Sequence, residues 1–241
     1  MIELKDLTKI YTRNGRPAVN SVSLTVTNGE IMGFAGLNGA GKSTAIRLST
    51  GIIYPTSGTV MIDGHDIVRE KVKASANVGW VPELPNFEPN AKPLTLMRYY
   101  GGFYGMKADE ATSKGRELLK EVSLEESINE KLRNYSQGMK KRFSLASAML
   151  NDPQNYFFDE TLNGLDPEGI RFMRRLMVDL KARGKAVLLS SHILSELENV
   201  ADRIAIIHKG KIIELMDRKK IDDVIKTDGK LEEYFFKVIG G

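Results

Sequence analysis

Cysteine is absent from the 241 residues. That excludes disulfides and Cys-ligated metals, and it suits a reducing compartment. Long apolar runs are missing too. No stretch approaches the roughly 20 apolar residues needed to span a bilayer, and the opening Met1 to Asp6 carries no apolar signal core. If the protein works at a membrane, another chain must supply the spanning helices. Charge of one sign is not in excess either: 35 basic against 31 acidic residues leave a net charge of +4, which gives no reason to expect nucleic acid as a partner. Lys and Arg are scattered apart from Lys140-Lys141-Arg142 and Arg218-Lys219-Lys220, and runs this short read as solvated helix faces. There is no internal repeat and no low-complexity linker. The hydrophobic fraction of 41% and charged fraction of 27% are ordinary for a globular chain. The length suits one large domain, or a core with a subdomain.

What is present begins with Gly36-Leu37-Asn38-Gly39-Ala40-Gly41-Lys42-Ser43-Thr44. It fits G-x-x-x-x-G-K-[ST], a phosphate-binding loop. The glycines let the backbone curl so that successive N–H groups face phosphate oxygens. Lys42 adds a full positive charge for the β- and γ-phosphates, and Ser43 offers a hydroxyl to Mg²⁺. Ile31 to Ala35 reads as a strand feeding the loop. A helix from about Lys42 to Gly51 aims its positive end at the same anion.

Around this loop the pattern changes along the chain. Residues 2–8, Val22 to Val26 and Gly58 to Ile62 alternate apolar and polar, predicting a mostly antiparallel N-terminal β subdomain. From 93 to 150 the spacing turns helical. Leu94, Met97, Tyr100 and Tyr104 fit one helix, Ala111, Leu118, Leu119 and Val122 a second, and Met139, Phe143, Ala146 and Leu150 a third. Strands resume at Tyr156 to Phe158, Ala186 to Ser190 and Arg203 to Ile207, with helices between them. The expected fold is therefore α/β. A P-loop NTPase core with a mainly parallel sheet would span 1–92 and 151–241, with an α-helical subdomain inserted at 93–150.

Two further segments bear on chemistry. Phe157-Phe158-Asp159-Glu160 is an apolar strand ending in two carboxylates. Asp159 at such a strand end can hold Mg²⁺, and Glu160 can polarise a water; a solvated strand exit is the plainer alternative. Tyr135-Ser136-Gln137-Gly138-Met139 precedes an amphipathic helix. Ser136 suits its N-cap, or helps form a second anion site with the helix dipole.

In their order and spacing these motifs resemble the ATP-binding cassette (ABC) family of ATPases over essentially the whole chain. Residues 135–139 stand where that family has its Leu-Ser-Gly-Gly-Gln signature. Phe157 to Glu160 resemble its Walker B strand, and Gly164-Leu165-Asp166 its D-loop. Ser190-Ser191-His192 lies at its switch histidine, and Tyr11 falls where an aromatic stacks on adenine. The resemblance implies ATP and Mg²⁺ as cofactors, with Asp159 for the metal, Glu160 as catalytic base and His192 at the γ-phosphate. It implies a second cassette packed head to tail, so that Ser136 and Gly138 meet nucleotide in trans beside Asp166. It also implies separate integral membrane permease subunits of exporter type, which would hold the protein on the cytoplasmic face of the membrane. A non-transport ABC ATPase in translation or DNA maintenance is the alternative.

Departures from the family pattern are local. Gln137, Met139, Thr161 and Leu37 replace a glycine, a glutamine and two prolines. Glu83, in Trp80-Val-Pro-Glu83, stands where the family has a glutamine near the metal, so a carboxylate contact to Mg²⁺ is expected there. Pro82, Pro85 and Pro89 predict an extended, exposed loop from Val81 to Pro89, with Phe87 either an apolar anchor for the permease or packed into the helical subdomain.

Overall fold

Alternating side chains set the first layer. The computed structural model describes residues 1–13 and 15–240. β1 (Ile2–Lys9) and β2 (Val19–Val26) pair antiparallel, with Ile2 opposite Val26. The inward set of β1 skips between Leu4 and Leu7. There Asp6 takes a φ of 49° and the register shifts, as at a bulge. β3 (Ile31–Ala35) and α1 (Lys42–Ser49) follow, separated by the glycine-rich loop. β4 (Ser57–Ile62) and β5 (His65–Asp66) then complete a sheet ordered β2-β1-β4-β5, antiparallel at every pairing.

The second sheet is built differently. After α2 (Lys71–Ala76), β6 (Val78–Val81) lies at its edge. Three helices come next: α3 (Pro93–Phe103), α4 (Ala108–Glu121) and α5 (Gln137–Ala148). β7 (Asn155–Asp159), α6 (Pro167–Ala182), β8 (Ala186–Ser191), α7 (Leu194–Glu198) and β9 (Arg203–His208) continue the alternation. β10 (Lys211–Asp217), α8 (Arg218–Asp228) and α9 (Leu231–Gly240) end it. The order is β10-β9-β3-β8-β7-β6, parallel throughout except for β10.

Both faces of this sheet are covered, which explains its unbroken apolar strands. Ile31, Tyr156, Phe158, Val187, Leu189, Ile204 and Ile206 face one core, shared with α3 to α7. Met32, Phe34, Phe157, Leu188, Ala205 and Ile207 face the other, shared with α1 and the antiparallel sheet. The parallel strands end together, so Ala35, Asp159 and Ser191 share one edge. In α/β sheets such carboxyl ends are where ligands bind.

Three local expectations are corrected. Val81 ends a strand; it does not begin a loop, because Val78–Val81 pairs with Asn155–Phe158. Pro85 is buried. Tyr104 lies beyond the last residue of α3 and is exposed; Gly101 takes the inward place, where a Cβ would come within 2.6 Å of the Ala111 Cβ.

Candidate functional site

The loop after β3 needs its glycines for different reasons. A Cβ on Gly36 would lie 2.6 Å from the Ile207 carbonyl oxygen, and one on Gly41 would lie 2.3 Å from that of Ala18. At Gly39 the space is open, and the constraint is its φ of 80°. Gly41 is also the N-cap of α1 and has no side chain to cap with. The first-turn N–H groups at Lys42, Ser43 and Thr44 are therefore left for an anion.

These residues open onto a cleft of about 290 Å³. Asn38, Gly39, Gly41, Lys42, Ser43 and Thr44 line one side, and Glu83, Glu160 and His192 the other. Ala18 and Asn163 join them, neither anticipated from the sequence. Ala40 turns inward: its N–H donates to the Leu37 carbonyl and its own carbonyl accepts from Gly210 N–H. Tyr11 stands at the rim, 58% exposed, with its hydroxyl 3.4 Å from Thr44 Oγ1.

Lys42 and Glu160 form the centre. They are 4% and 6% exposed, with Nζ 2.9 Å from Oε1. Lys42 also donates to the Gly36 and Leu37 carbonyls. The other Glu160 oxygen meets His192 Nδ1 and accepts from Asn163 Nδ2 at 2.8 Å. Burial pushes the Glu160 carboxyl upward, but Lys42, His192 and Asn163 outweigh it and hold it below the usual carboxylate range. Asn163 also reaches Glu83 Oε1 at 3.4 Å, so one amide bridges the two acids. At neighbouring Asp159 burial prevails over hydrogen bonds from Ser43 and Ser190, and its carboxyl is raised.

Ser43 Oγ donates to Asp159 Oδ1 at 2.9 Å. A hydroxyl and a carboxylate this close, beside an anion cradle, fit a Mg²⁺ ion brought in with phosphate. Among the described residues no three His, Cys, Asp or Glu side chains stand ready to hold a metal by themselves. Such an ion would complete its shell from phosphate oxygens and water.

Ser136, Gly138 and Asp166 do not line the cleft. Ser136 caps α5 by accepting from Met139 N–H at 3.2 Å, and Asp166 caps α6 by accepting from Gly169 N–H at 2.8 Å. Phe87 does not stand free as an apolar anchor. Its ring meets Phe143 edge-on, with centroids 4.8 Å apart, and packs against the core shared with the helices.

Thr161, in a proline's place beside Glu160, is fully buried, and its hydroxyl has no hydrogen-bond partner among the described residues. Thr161→Val keeps the shape and removes the stranded group. It is expected to stabilise the protein by about 1 kcal/mol, raising Tm by about 2–4 °C. A thermal melt with unchanged or lowered Tm would show that the hydroxyl is satisfied.

A P-loop at the carboxyl end of a mixed sheet, facing a buried Lys–Glu pair with an exposed histidine on the same carboxylate, defines a nucleotide-hydrolysing cassette. Comparison with known proteins gives the same class. A family described as ABC transporter matches residues 19–163. The chain is 38% identical to an uncharacterized ABC transporter ATP-binding protein, YhcH, of Bacillus subtilis (strain 168), over 99% of this chain and 75% of that one. It is also 38% identical to the bacitracin transport ATP-binding protein BcrA of Bacillus licheniformis, over 89% and 69% of the respective lengths. A solved ATP-binding subunit of an ABC transporter superposes with a TM-score of 0.87 at 30% identity, over 99% of each chain. The chain belongs to the ABC transporter family. Within it, it is an ATP-binding, ATP-hydrolysing subunit.

Proposed function

We propose that this cassette powers a separate membrane permease by MgATP-driven pairing with a second cassette. The observation that carries the reading is the split site. Lys42, Ser43 and Glu160 share one cleft, while Ser136 and Gly138, the cap and a first-turn residue of α5, lie outside it. A second cassette, turned head to tail, brings its own α5 N-terminus to the open side of the cleft. ATP then lies between the two chains, and hydrolysis loosens them.

In the filled cleft Lys42 holds the β- and γ-phosphates. Ser43 and Asp159 would hold Mg²⁺, which when bound would supply positive charge against the phosphates. Glu160 accepts a proton from the water whose oxygen bonds to the γ-phosphorus as the bond to the β–γ bridging oxygen breaks. His192 orients the Glu160 carboxylate and contacts the γ-phosphate. Glu83, tied to Glu160 through Asn163, would sense whether the metal is bound. Tyr11 stacks on the base. In this division, residues 1–92 and 151–241 form the ATP-binding core and 93–150 the helical part.

The permease surface follows from apolar exposure. Val72 and Phe103 are 85% and 71% exposed, and with Tyr104 they border a groove of about 550 Å³ between α2 and the end of α3. Exposed Leu84 adds to the apolar surface of the molecule. Contiguous apolar surface of this kind marks a protein contact. Among the described residues no helix is long and apolar enough to cross a membrane. The protein would therefore sit on the cytoplasmic face through its partner. The test is co-expression with the membrane-spanning chain of the neighbouring reading frame. The wild type should fractionate with that chain in membranes and gain ATPase turnover on reconstitution, and Phe103→Ser should lose both. A wild type that stays apart from the membrane chain would overturn the proposal.

A further inference from the structure

The basic run Lys140-Lys141-Arg142 has the look of a solvated helix face, yet Lys141 is buried, 2% exposed. Desolvating an ammonium is unfavourable unless its hydrogen bonds are replaced. Here they are replaced by main chain: Nζ donates to the Thr161 carbonyl at 2.9 Å and to the Asn163 carbonyl. Those carbonyls belong to the turn that carries Glu160.

That turn is strained. Glu160 sits at a φ of 51°, a conformation that residues with a Cβ adopt only when their surroundings hold them there. From the sheet side Glu160 N–H donates to the Ser190 carbonyl and hydroxyl. Asn163 N–H closes the turn on the Glu160 carbonyl at 3.2 Å. Lys141 supplies the hold from the helical side. Because Asn163 also donates its side-chain amide to the Glu160 carboxylate, fixing the Asn163 backbone fixes the carboxylate. Five residues toward the N-terminus of α5 lies Ser136, its cap, about 7 Å along the helix axis. Displacing that end of α5 therefore displaces Lys141 and the turn it grips.

We infer that Lys141 is a positioning residue for hydrolysis, a strut that ties the head of α5 to the turn bearing Glu160 and Asn163. Seating Ser136 and Gly138 against nucleotide then also aims the Glu160 carboxylate. The inference rests on Glu160 acting as the base. Among the described residues Lys141 Nζ hydrogen-bonds the Thr161 and Asn163 carbonyls, and Lys141 does not line the cleft, so its loss should appear in kcat and leave KM alone.

The test compares Lys141→Met, which keeps the apolar stem and loses the donors, with Lys141→Gln, which keeps two N–H donors on a shorter arm. Steady-state MgATP hydrolysis and Tm are measured for both, with Glu160→Gln as control. Lys141→Met should lower kcat by roughly tenfold or more, as misplacements of a catalytic group by about 1 Å do. KM should stay within about threefold, and Lys141→Gln should recover part of the loss. Wild-type kcat in Lys141→Met, with Glu160→Gln inactive, overturns the strut and leaves the base intact. Active Glu160→Gln overturns both. If Lys141→Met does not fold, Lys141→Gln decides: a fall in kcat alone supports the strut, and unchanged kcat, or kcat and KM worsening together with Tm, overturns it.

Discussion

Glu160→Gln should slow ATP hydrolysis by at least about 10²-fold, the lower range for losing a general base, and should let an ATP-bound dimer accumulate. Gln keeps the length of the side chain and an oxygen for the Asn163 amide that now reaches Glu160 Oε2 at 2.8 Å. It cannot take a proton from water. It also frees Lys42, which lies 2.9 Å from the carboxylate in a nearly dry setting, so phosphate no longer competes with a neighbouring anion for that ammonium. Turnover and retention of nucleotide therefore move in opposite directions. Phosphate release measures the first, and sizing chromatography with ATP the second. Normal turnover would remove Glu160 from its role, and an exclusively monomeric profile would count against a composite site formed by two copies of the chain.

Lys42→Met should act on stability and binding together. Removing one partner of a buried ion pair costs about 3–5 kcal/mol in general. His192 and Asn163 still hold the Glu160 carboxylate, so a loss of about 2–3 kcal/mol is expected here. ATP affinity should fall by about 10² or more, since one charge-assisted contact to phosphate, with its companion hydrogen bonds, is gone. The pH dependence has a definite sign. Burial raises the Glu160 carboxyl, but Lys42, His192 and Asn163 bring it below its ordinary value of 4.5. The pair's contribution is therefore full above that ordinary value and is lost as pH falls through the lowered one. In Lys42→Met it is missing at neutral pH, and the gap to wild type should narrow in acid. Lys42→Met/Glu160→Gln removes both charges and should regain most of the lost stability. Thermal melts at neutral and acid pH, with an ATP titration, check all three. A double variant no more stable than the single one would mean that the two groups do not depend on each other.

What the sequence disclosed was what is local. The Gly36 to Ser43 spacing specifies a strand, a loop and a helix end within a dozen residues, and β3 and α1 lie on either side of that loop. The apolar run before Asp159 and the Ser-Ser-His end of β8 are also self-contained patterns. What depends on distant chain was hidden. Asn163 bridges Glu83 and Glu160 only because the turn after β7 folds toward the end of β6. The burial of Lys141 depends on two carbonyls some twenty residues away, and nothing in a Lys-Lys-Arg run distinguishes its middle member. Three prolines suggested an exposed loop and left Phe87 open between a permease anchor and packing; its partner Phe143, supplied by α5, decides for packing. The short edge strand β6 lacks enough alternation to declare itself, and it exists through pairing with β7.

The double covering of the parallel sheet has a consequence for how the chain finds its alignment. A strand wet on one face is punished for slipping by one residue, because its whole apolar set would turn to water. β7 escapes that penalty, since Tyr156 and Phe158 face one core and Phe157 the other. Its polar ends must do the aligning. At the start, buried Asn155 donates to Asp63 Oδ2 at 2.7 Å and to the Asn77 carbonyl at 3.1 Å. At the finish, Asp159 lies opposite Ser190 and accepts from its hydroxyl at 3.0 Å. A one-residue slip would strand both in hydrocarbon. The carboxylate that suits a metal is thus also a reading-frame marker for the sheet, and a sequence that discarded it for an apolar residue would lose part of the instruction that tells β7 where to stop.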